Sequence, residues 1–159
     1  MAITDADLEF LRRCVELARD ALDLGDEPFG SLLVDDTGDT LFADHNHVGN
    51  GDATEHPEFA IARWAAEHLS PEQRASATVY TSGEHCAMCS AAHAWVGLGR
   101  IVYATSARQL SQWCAEWGTP PAPVAPLPIT TVAPELVVDG PAPQLHDEMR
   151  ALYERAFRP

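Results

Sequence analysis

Two short stretches of the sequence carry side chains that bind metal ions and move protons. In the first, Glu58 follows His56 by two positions, and in the second, Cys86 and Cys89 stand three positions apart. Together they offer one imidazole nitrogen and two thiolate sulfurs, the ligand count of a catalytic zinc site whose fourth position is left to water. A structural zinc normally has a fourth protein ligand close by in the sequence, and none stands there. The pattern therefore predicts a catalytic zinc site, with Glu58 beside the metal as general acid and base and not as a ligand.

Two other interpretations of the cysteine pair leave part of this pattern unexplained. A redox-active C-x-x-C motif would give no role to His56 and Glu58. A structural zinc would have to recruit Cys14 or Cys114, and each of these belongs to a separate helical pattern of apolar residues. Catalytic zinc is the interpretation that accounts for the imidazole, the carboxylate and both thiols together.

The cysteine pair lies where a strand is expected to pass into a helix. Residues 77–82 and 100–105 are predicted strands, and residues 86–97 between them are a predicted helix. Such a unit favours a parallel strand pair with a right-handed crossover. Cys86 and Cys89 then fall in the first turn of the helix, above the carboxyl end of the strand, where the helix N-terminus favours the thiolate form.

The histidine and the glutamate are expected at the start of a second helix, over residues 55–69. Pro57 is tolerable only in the first turn of a helix, which places His56 and Glu58 at its N-terminal end. Residues two positions apart do not share a face of a regular helix. Glu58 is therefore expected beside the open position of the metal and not among its ligands.

The other elements follow from hydrophobic periodicity and turn residues. His45 and His47, which alternate at the end of a predicted strand, are interpreted as ordinary strand-end and loop histidines. Trp95, Trp113 and Trp117 are interpreted as core aromatics. We predict helices over 4–24, 107–117 and 143–157, strands over 29–35, 40–45 and 129–132, a loop over 46–54 and a proline-rich extended connector over 118–128.

Composition and charge exclude several function classes. The chain of 159 residues has 24 acidic and 10 basic residues and a formal net charge of −14. All ten basic residues are arginine, so neither a Schiff-base lysine nor a P-loop lysine is available. Such a chain repels phosphate backbones at long range, which disfavours RNA and phosphorylated nucleotides as substrates and predicts no nucleic-acid partner. Without a long apolar run or a basic-then-apolar leader, we expect a cytoplasmic protein and no membrane association.

Over about residues 28–105 the sequence resembles the cytidine deaminase-like zinc superfamily, and within it the guanine deaminase and tRNA adenosine deaminase branch. The resemblance implies a three-layer α/β/α fold around a mixed sheet of about five strands, here as one domain spanning 1–159 whose 118–159 segment could form a lid. It also implies a homodimer. The residues that carry it are Pro28-Phe29-Gly30, Asn46, His56-Pro57-Glu58 and the run Thr81-Ser82-Gly83-Glu84-His85-Cys86-Ala87-Met88-Cys89.

The resemblance also implies a role for individual residues. Asn46 and Phe29 would contact the edge and the face of a substrate ring. The family usually has a small residue where Pro57 stands and proline where His85 stands, so these two positions would line the mouth of the pocket. Glu116 lies near where the guanine deaminase type carries a substrate-binding carboxylate. Zn²⁺ would be held by His56, Cys86 and Cys89, with Glu58 as the catalytic acid and base.

The expected function is a zinc-dependent hydrolytic deaminase of a small amino-heterocycle. A neutral free base such as guanine, or a related triazine or pterin, suits the strongly acidic chain. Cytosine or a nucleoside is the first alternative, and tRNA adenosine is less favoured because of the charge. A zinc-bound scaffold without activity is the alternative from another class. Glu58 argues against that scaffold, because the fold needs the zinc ligands but not this carboxylate.

Overall fold

A computed structural model describes residues 2–159 and places a five-stranded sheet at the centre of the chain. The strands are β1 (Gly30–Val34), β2 (Thr40–His45), β3 (Thr78–Gly83), β4 (Ile101–Thr105) and β5 (Val138–Asp139). Their order in the sheet is β2-β1-β3-β4-β5. The first strand runs antiparallel to both of its neighbours, whereas β3, β4 and β5 are mutually parallel.

Helices cover the two faces of this sheet, because alternate strand residues point to opposite sides. The helices are α1 (Asp5–Asp23), α2 (Pro57–His68), α3 (Pro71–Ser76), α4 (Ala87–Trp95), α5 (Ala107–Trp117), α6 (Ile129–Val132) and α7 (His146–Phe157). Leu32 and Val34 pack in one cluster with α1, α5 and α7, while Leu33 packs in a second cluster with α2 and the end of α4. The three-layer α/β/α prediction is therefore confirmed.

The unit β3–α4–β4 positions the cysteine pair as predicted. Val79 pairs with Ile101 and Thr81 with Tyr103 in parallel register. The α4 helix begins after the carboxyl end of β3, with Cys86 as its N-cap residue. The first two strands form the expected antiparallel hairpin.

A buried network of ion pairs and hydrogen bonds joins α1 to strands β3, β4 and β5. Arg100 at the start of β4 donates to Asp7 at 2.9 Å and to Asp139 of β5 at 2.8 Å. The Tyr80 hydroxyl, on β3, donates to the same Asp7 carboxylate at 2.8 Å, and Thr4 completes a capping box with it. One carboxylate thereby ties the first helix to β3 and, through Arg100, to β4 and β5.

The structure corrects the prediction for the C-terminal third. Residues 129–132, predicted as the last strand, form the short helix α6, and the last strand is instead Val138–Asp139. The Glu84 carboxylate accepts from the backbone N–H of Ile129 at 2.9 Å, and Pro128 precedes it as the N-cap. These tertiary contacts override the strand propensity of the Ile-Thr-Thr-Val run.

Three smaller differences concern an additional helix, the start of the last helix and the exposure of one tryptophan. A helix over Pro71–Ser76 was not predicted, although Ser70 and Gln73 form a capping box there. The last α-helix begins at His146, after a 3₁₀ turn over Pro143–Leu145. Trp95 is 89% exposed, so its interpretation as a core residue is wrong. The proline-rich residues 120–128 are exposed and non-helical, as expected.

Among residues 2–159, no helix is both long enough and apolar enough to cross a membrane.

Candidate zinc site

Three predicted ligands meet where the N-termini of α2 and α4 approach each other. His56 is the N-cap residue of α2, Cys86 is the N-cap residue of α4, and Cys89 lies three residues further on. The Nδ1 atom of His56 lies 3.6 Å from the Sγ atom of Cys86 and 3.6 Å from that of Cys89. In a tetrahedral site with Zn–S of about 2.3 Å and Zn–N of about 2.0–2.1 Å, the S···N separation is also about 3.6 Å. The residues present therefore fit a zinc ion.

The pKa values of the two thiols are shifted in opposite directions. A hydrogen bond from Cys89 is the largest cause that lowers the pKa of Cys86, to about 4, and His56 contributes in the same direction against the effect of burial. The Cys86 partner and burial raise the pKa of Cys89. The lowered pKa of Cys86 favours a thiolate beside the imidazole, and a dication held by both sulfurs would displace the remaining thiol proton.

Glu58 lies next to this cluster and is held by two hydroxyl groups. It is 5% exposed, and both Ser31 of β1 and Thr81 of β3 donate to its Oε1 atom at 2.8 Å. Burial raises its pKa, against the lowering effect of the two hydroxyls and of His56. A hydrogen bond with Glu58 also contributes to the raised pKa of Cys89, which places the carboxylate in contact with the ligand cluster.

Asn46 and Phe29 are linked to each other through the backbone. The N–H of Asn46 donates to the carbonyl oxygen of Phe29 at 3.0 Å. The Oδ1 atom of Asn46, a fully buried residue, accepts from the backbone N–H groups of Glu27 and Val48 at 3.3 and 3.0 Å. The amide group is thereby fixed in orientation at the end of the β1–β2 hairpin.

The two positions that depart from the family pattern are both buried. Pro57 is the first residue of α2, directly after the His56 cap. His85 is fully buried with its ring edge-on to His93, at 5.3 Å between centroids. Neither ring nitrogen of His85 has a hydrogen-bond partner among the described residues. Burial is the main cause that lowers the pKa of His85 well below the usual range, and the nearby His93 contributes a smaller effect in the same direction.

Glu116 lies on the exposed surface of α5, where it forms an ion pair with Arg150 at 3.2 Å. The structure does not bring it into contact with the ligand cluster, and its role in substrate binding stays a prediction. Glu84, by contrast, is a structural carboxylate. It accepts from the N–H groups of Ala107 and Ile129 and so holds the starts of α5 and α6.

Sequence reasoning missed the groups that surround Glu58 and His56. Ser31 is the one polar residue of β1, and that interruption was the available signal. Thr81 lies between Tyr80 and Ser82 in β3, where the strand sequence offers no such signal. Glu27 is half-buried, and the electrostatic effect of His56 opposes the rise in its pKa caused by burial. Glu27 lines a cavity of about 350 Å³ together with Gly49, in the loop that follows β2, and Phe157 of α7.

A second cavity, of about 410 Å³, opens on His56 itself. Phe59 and Arg63 of α2 line it, together with Asp44 and His47 from the end of the hairpin. Its volume lies within the range typical of small-molecule sites.

The family model for the cytidine and deoxycytidylate deaminase zinc-binding region matches residues 4–105. The three candidate ligands and Glu58 all lie inside the matched range. This match confirms the resemblance inferred from the motifs and agrees with zinc as the cofactor.

Curated relatives include proteins with different named substrates. A probable cytosine deaminase of Schizosaccharomyces pombe is 32% identical over 108 residues, which are 68% of this chain and 65% of that protein. A tRNA-specific adenosine deaminase of Haemophilus influenzae is 30% identical over 104 residues, 65% of this chain and 60% of that protein. The aligned part thus spans less than two thirds of these relatives.

Among solved structures, the guanine deaminase of Bacillus subtilis superposes with a TM-score of 0.58 at 27% identity. The superposition covers 79% of this chain and 88% of that one. With the family match, the sheet order and the ligand geometry, this likeness shows that the chain belongs to the cytidine and deoxycytidylate deaminase family of zinc-binding proteins.

Proposed function

We propose that this protein is a zinc-dependent hydrolytic deaminase of a small amino-heterocycle. The observation that carries the proposal is the buried carboxylate of Glu58, held by Ser31 and Thr81 beside the cluster of His56, Cys86 and Cys89. A scaffold that only bound zinc would need the three ligands but would gain nothing from a buried, uncompensated carboxylate. Perturbed acids of this kind are typical of catalytic sites.

In the proposed reaction, the metal would activate a water molecule and the Glu58 carboxylate would transfer protons. When bound by His56, Cys86 and Cys89, zinc supplies a water whose pKa lies near 7. Because the two hydroxyls occupy Oε1 of Glu58, the Oε2 atom is the one that takes up the proton of that water. Glu58 then delivers this proton to a ring nitrogen of the substrate. It next takes up a second proton from the hydroxyl group now attached to the ring carbon and passes it to the departing amine. Water replaces the amino group, and the products are the carbonyl form of the ring and ammonia.

Asn46, Phe29 and Glu27 are proposed to hold the substrate ring. With its oxygen engaged by the backbone, Asn46 offers its amide N–H₂ group to an acceptor on the ring edge. Glu27 supports recognition of an amino-rich ring, since a carboxylate accepts from exocyclic amino groups. Glu116, the carboxylate expected from the sequence, is paired with Arg150 on the surface, whereas Glu27 has an electrostatic interaction with His56.

A free base such as guanine, or a related aminated triazine or pterin, is the proposed substrate class. The net charge of −14 and the lack of lysine disfavour a polyanionic substrate such as tRNA. The cytosine deaminase relative keeps cytosine as the alternative within the same chemistry. For Pro57 and His85, a role beside the ring stays a proposal.

One observation bears on the assembly that presents the site. Trp95 is 89% exposed near the end of α4, the helix that begins at Cys86, and a solvent-facing tryptophan of this size favours burial in a subunit contact. We therefore retain the homodimer as a proposal. Light scattering on the purified chain tests it, and a monomer at every concentration up to the millimolar range would refute it.

Ammonia release from the zinc-loaded protein tests the function. The panel contains guanine, adenine, cytosine, their nucleosides, and amino-substituted triazines and pterins, with the Glu58→Gln variant as the blank. We expect a Glu58-dependent signal on a free base. A signal on nucleosides alone would refute the proposed substrate class, and silence throughout, with zinc bound stoichiometrically, would favour the scaffold.

A further inference from the structure

A second cluster of possible metal ligands lies outside the candidate zinc site, at the end of the β1–β2 hairpin. It consists of Asp26, His45 and His47, and one ligand atom from each lies within 4.8 Å of the others. All three are partly exposed, so an ion from solution can reach them. We propose that these residues form a second metal site, which binds a first-row transition-metal dication.

The hairpin explains why residues so distant in sequence meet. Gly30 of β1 pairs with His45 of β2, and the N–H of Asn46 donates to the carbonyl of Phe29. The antiparallel pairing continues past the strands, so the segment before β1 runs beside the segment after β2. Asp26 therefore lies against the loop that carries His47.

Hydrogen bonds fix the tautomer of each imidazole. His45 Nδ1 lies 2.7 Å from the carbonyl oxygen of Asn46, and His47 Nε2 lies 2.8 Å from Oδ1 of Asp44. Neither oxygen carries a hydrogen, so both of these ring nitrogens must be the donors. The lone pairs are left on Nε2 of His45 and Nδ1 of His47. This is the arrangement of metal-binding histidines, whose second nitrogen donates to a carbonyl or a carboxylate.

The third ligand is oriented as well. Oδ1 of Asp26 accepts from the backbone N–H of Gly49 at 2.8 Å, which leaves its second oxygen for a metal. A Cβ atom on residue 49 would lie 2.6 Å from that same Oδ1, so the approach of the carboxylate depends on glycine at this position. Each of the three side chains thus has an outer contact that holds it in place.

The donor types select a cation of intermediate hardness. The two imidazole rings lie 4.4 Å apart between centroids, close enough to share one metal ion. Two imidazoles and one carboxylate suit nickel, iron(II), cobalt and zinc, and the remaining coordination positions are open to water. Ligands about 2.1 Å from a tetrahedral metal lie about 3.4 Å apart, so small side-chain rotations complete the site.

The proposed metal would stiffen the part of the chain that holds Asn46. His45 and His47 flank this residue, and Asp26 precedes Glu27, whose N–H binds the Asn46 side chain. A shared ion would clamp the two segments together. The consequence for substrate binding rests on the proposed function, whereas the metal site itself does not.

Nickel binding to the zinc-replete protein tests the site directly. Protein loaded with zinc and dialysed is titrated with Ni²⁺ by calorimetry while released zinc is measured. We expect one Ni²⁺ per chain without release of zinc, and no such binding to the His45→Ala/His47→Ala double variant. The isosteric Asp26→Asn variant, which can still accept from Gly49, should bind at least about 10-fold more weakly, and Asp44→Asn should bind roughly 10–100-fold more weakly.

The His146→Ala variant, which removes a partly exposed histidine of α7, is the matched control and should bind as the native protein does. A measurement without any substitution is the broadening of histidine ring signals in NMR spectra by paramagnetic Ni²⁺. His45 and His47 should broaden at lower nickel concentrations than His68 and His146. The proposal fails if nickel displaces zinc, if the double variant binds like the native protein, or if all four histidines broaden together.

Discussion

Two buried carboxylates lie on opposite faces of the sheet and have opposite environments. Asp7 is 3% exposed and Glu58 is 5% exposed, and adjacent residues of β3 donate to them, Tyr80 to Asp7 and Thr81 to Glu58. Asp7 also has the guanidinium of Arg100 at 2.9 Å, whereas Glu58 accepts from the hydroxyl groups of Ser31 and Thr81 and forms no ion pair with an arginine among residues 2–159. Because successive residues of a strand point to opposite faces, one strand serves both sites.

The difference appears in the pKa of each group. Burial would raise the pKa of Asp7, but hydrogen bonds from Arg100, Thr4 and Tyr80 outweigh it and lower the pKa below its usual range. For Glu58, burial dominates and the pKa is raised. Removing one partner of a buried ion pair destabilises a fold strongly, whereas a buried carboxylate without a full counter-charge itself costs stability and is typical of functional sites. The contrast separates an acid that holds the fold together from the acid that we propose to be catalytic.

The largest effect should come from Glu58→Gln. Glutamine keeps an oxygen that accepts from Ser31 and Thr81 but cannot take up a proton, so turnover should fall roughly 10²–10⁴-fold. Zinc content should not change, because the three ligands remain. The free energy of unfolding should be lowered by no more than about 1 kcal/mol, since the change removes a buried charge. Ammonia release, metal analysis and urea titration measure the three quantities, and near-native turnover would remove Glu58 from the mechanism.

The corresponding substitution on the other face of the sheet, Asp7→Asn, should lower the stability of the fold and leave turnover nearly unchanged. It leaves the Arg100 guanidinium short of one partner in a buried site, so the free energy of unfolding should fall by roughly 3 kcal/mol. Turnover per folded molecule should stay within about twofold, because Asp7 contacts neither the ligand cluster nor Glu58. Asp5→Asn, which removes an exposed acid from the same helical turn, is the matched control. Equal destabilisation by both variants would mean that the buried ion pair contributes nothing specific.

The sequence predicted the residues of the candidate zinc site better than it predicted the residues that hold Glu58 in place. The His56-x-Glu58 and Cys86-x-x-Cys89 patterns have fixed spacing, and proline restricts the first to a helix start, so local rules sufficed to place them. Ser31 and Thr81 belong to strands that are adjacent only through the antiparallel pairing of β1 with β3. Their convergence on Glu58 is a property of the register, which no local pattern specifies.

The errors have the same physical origin. Ile129 begins a helix because a distant carboxylate, Glu84, binds its N–H. Trp95 satisfies the apolar pattern of α4 but lies on the face that the chain leaves uncovered. His45 and His47 were interpreted as ordinary because their proposed partner, Asp26, lies across the hairpin. Local periodicity predicts elements, whereas contacts between elements decide what their residues do.

The smallest predicted effect is in the acid dependence of stability, and it sharpens the comparison further. Because the folded-state pKa of Asp7 is lowered, its stabilising contribution is complete above the unfolded pKa of about 3.9 and is lost as the pH falls towards the folded value. Asparagine cannot titrate, so the stability gap between the native protein and Asp7→Asn should narrow by about 1 kcal/mol from pH 6 to pH 3. Urea titrations of both proteins at each pH measure this gap, and loss of zinc in acid affects both alike. A gap that stayed constant over this range would show that Asp7 stabilises the fold by packing and neutral hydrogen bonds, and that its contrast with Glu58 is not one of charge.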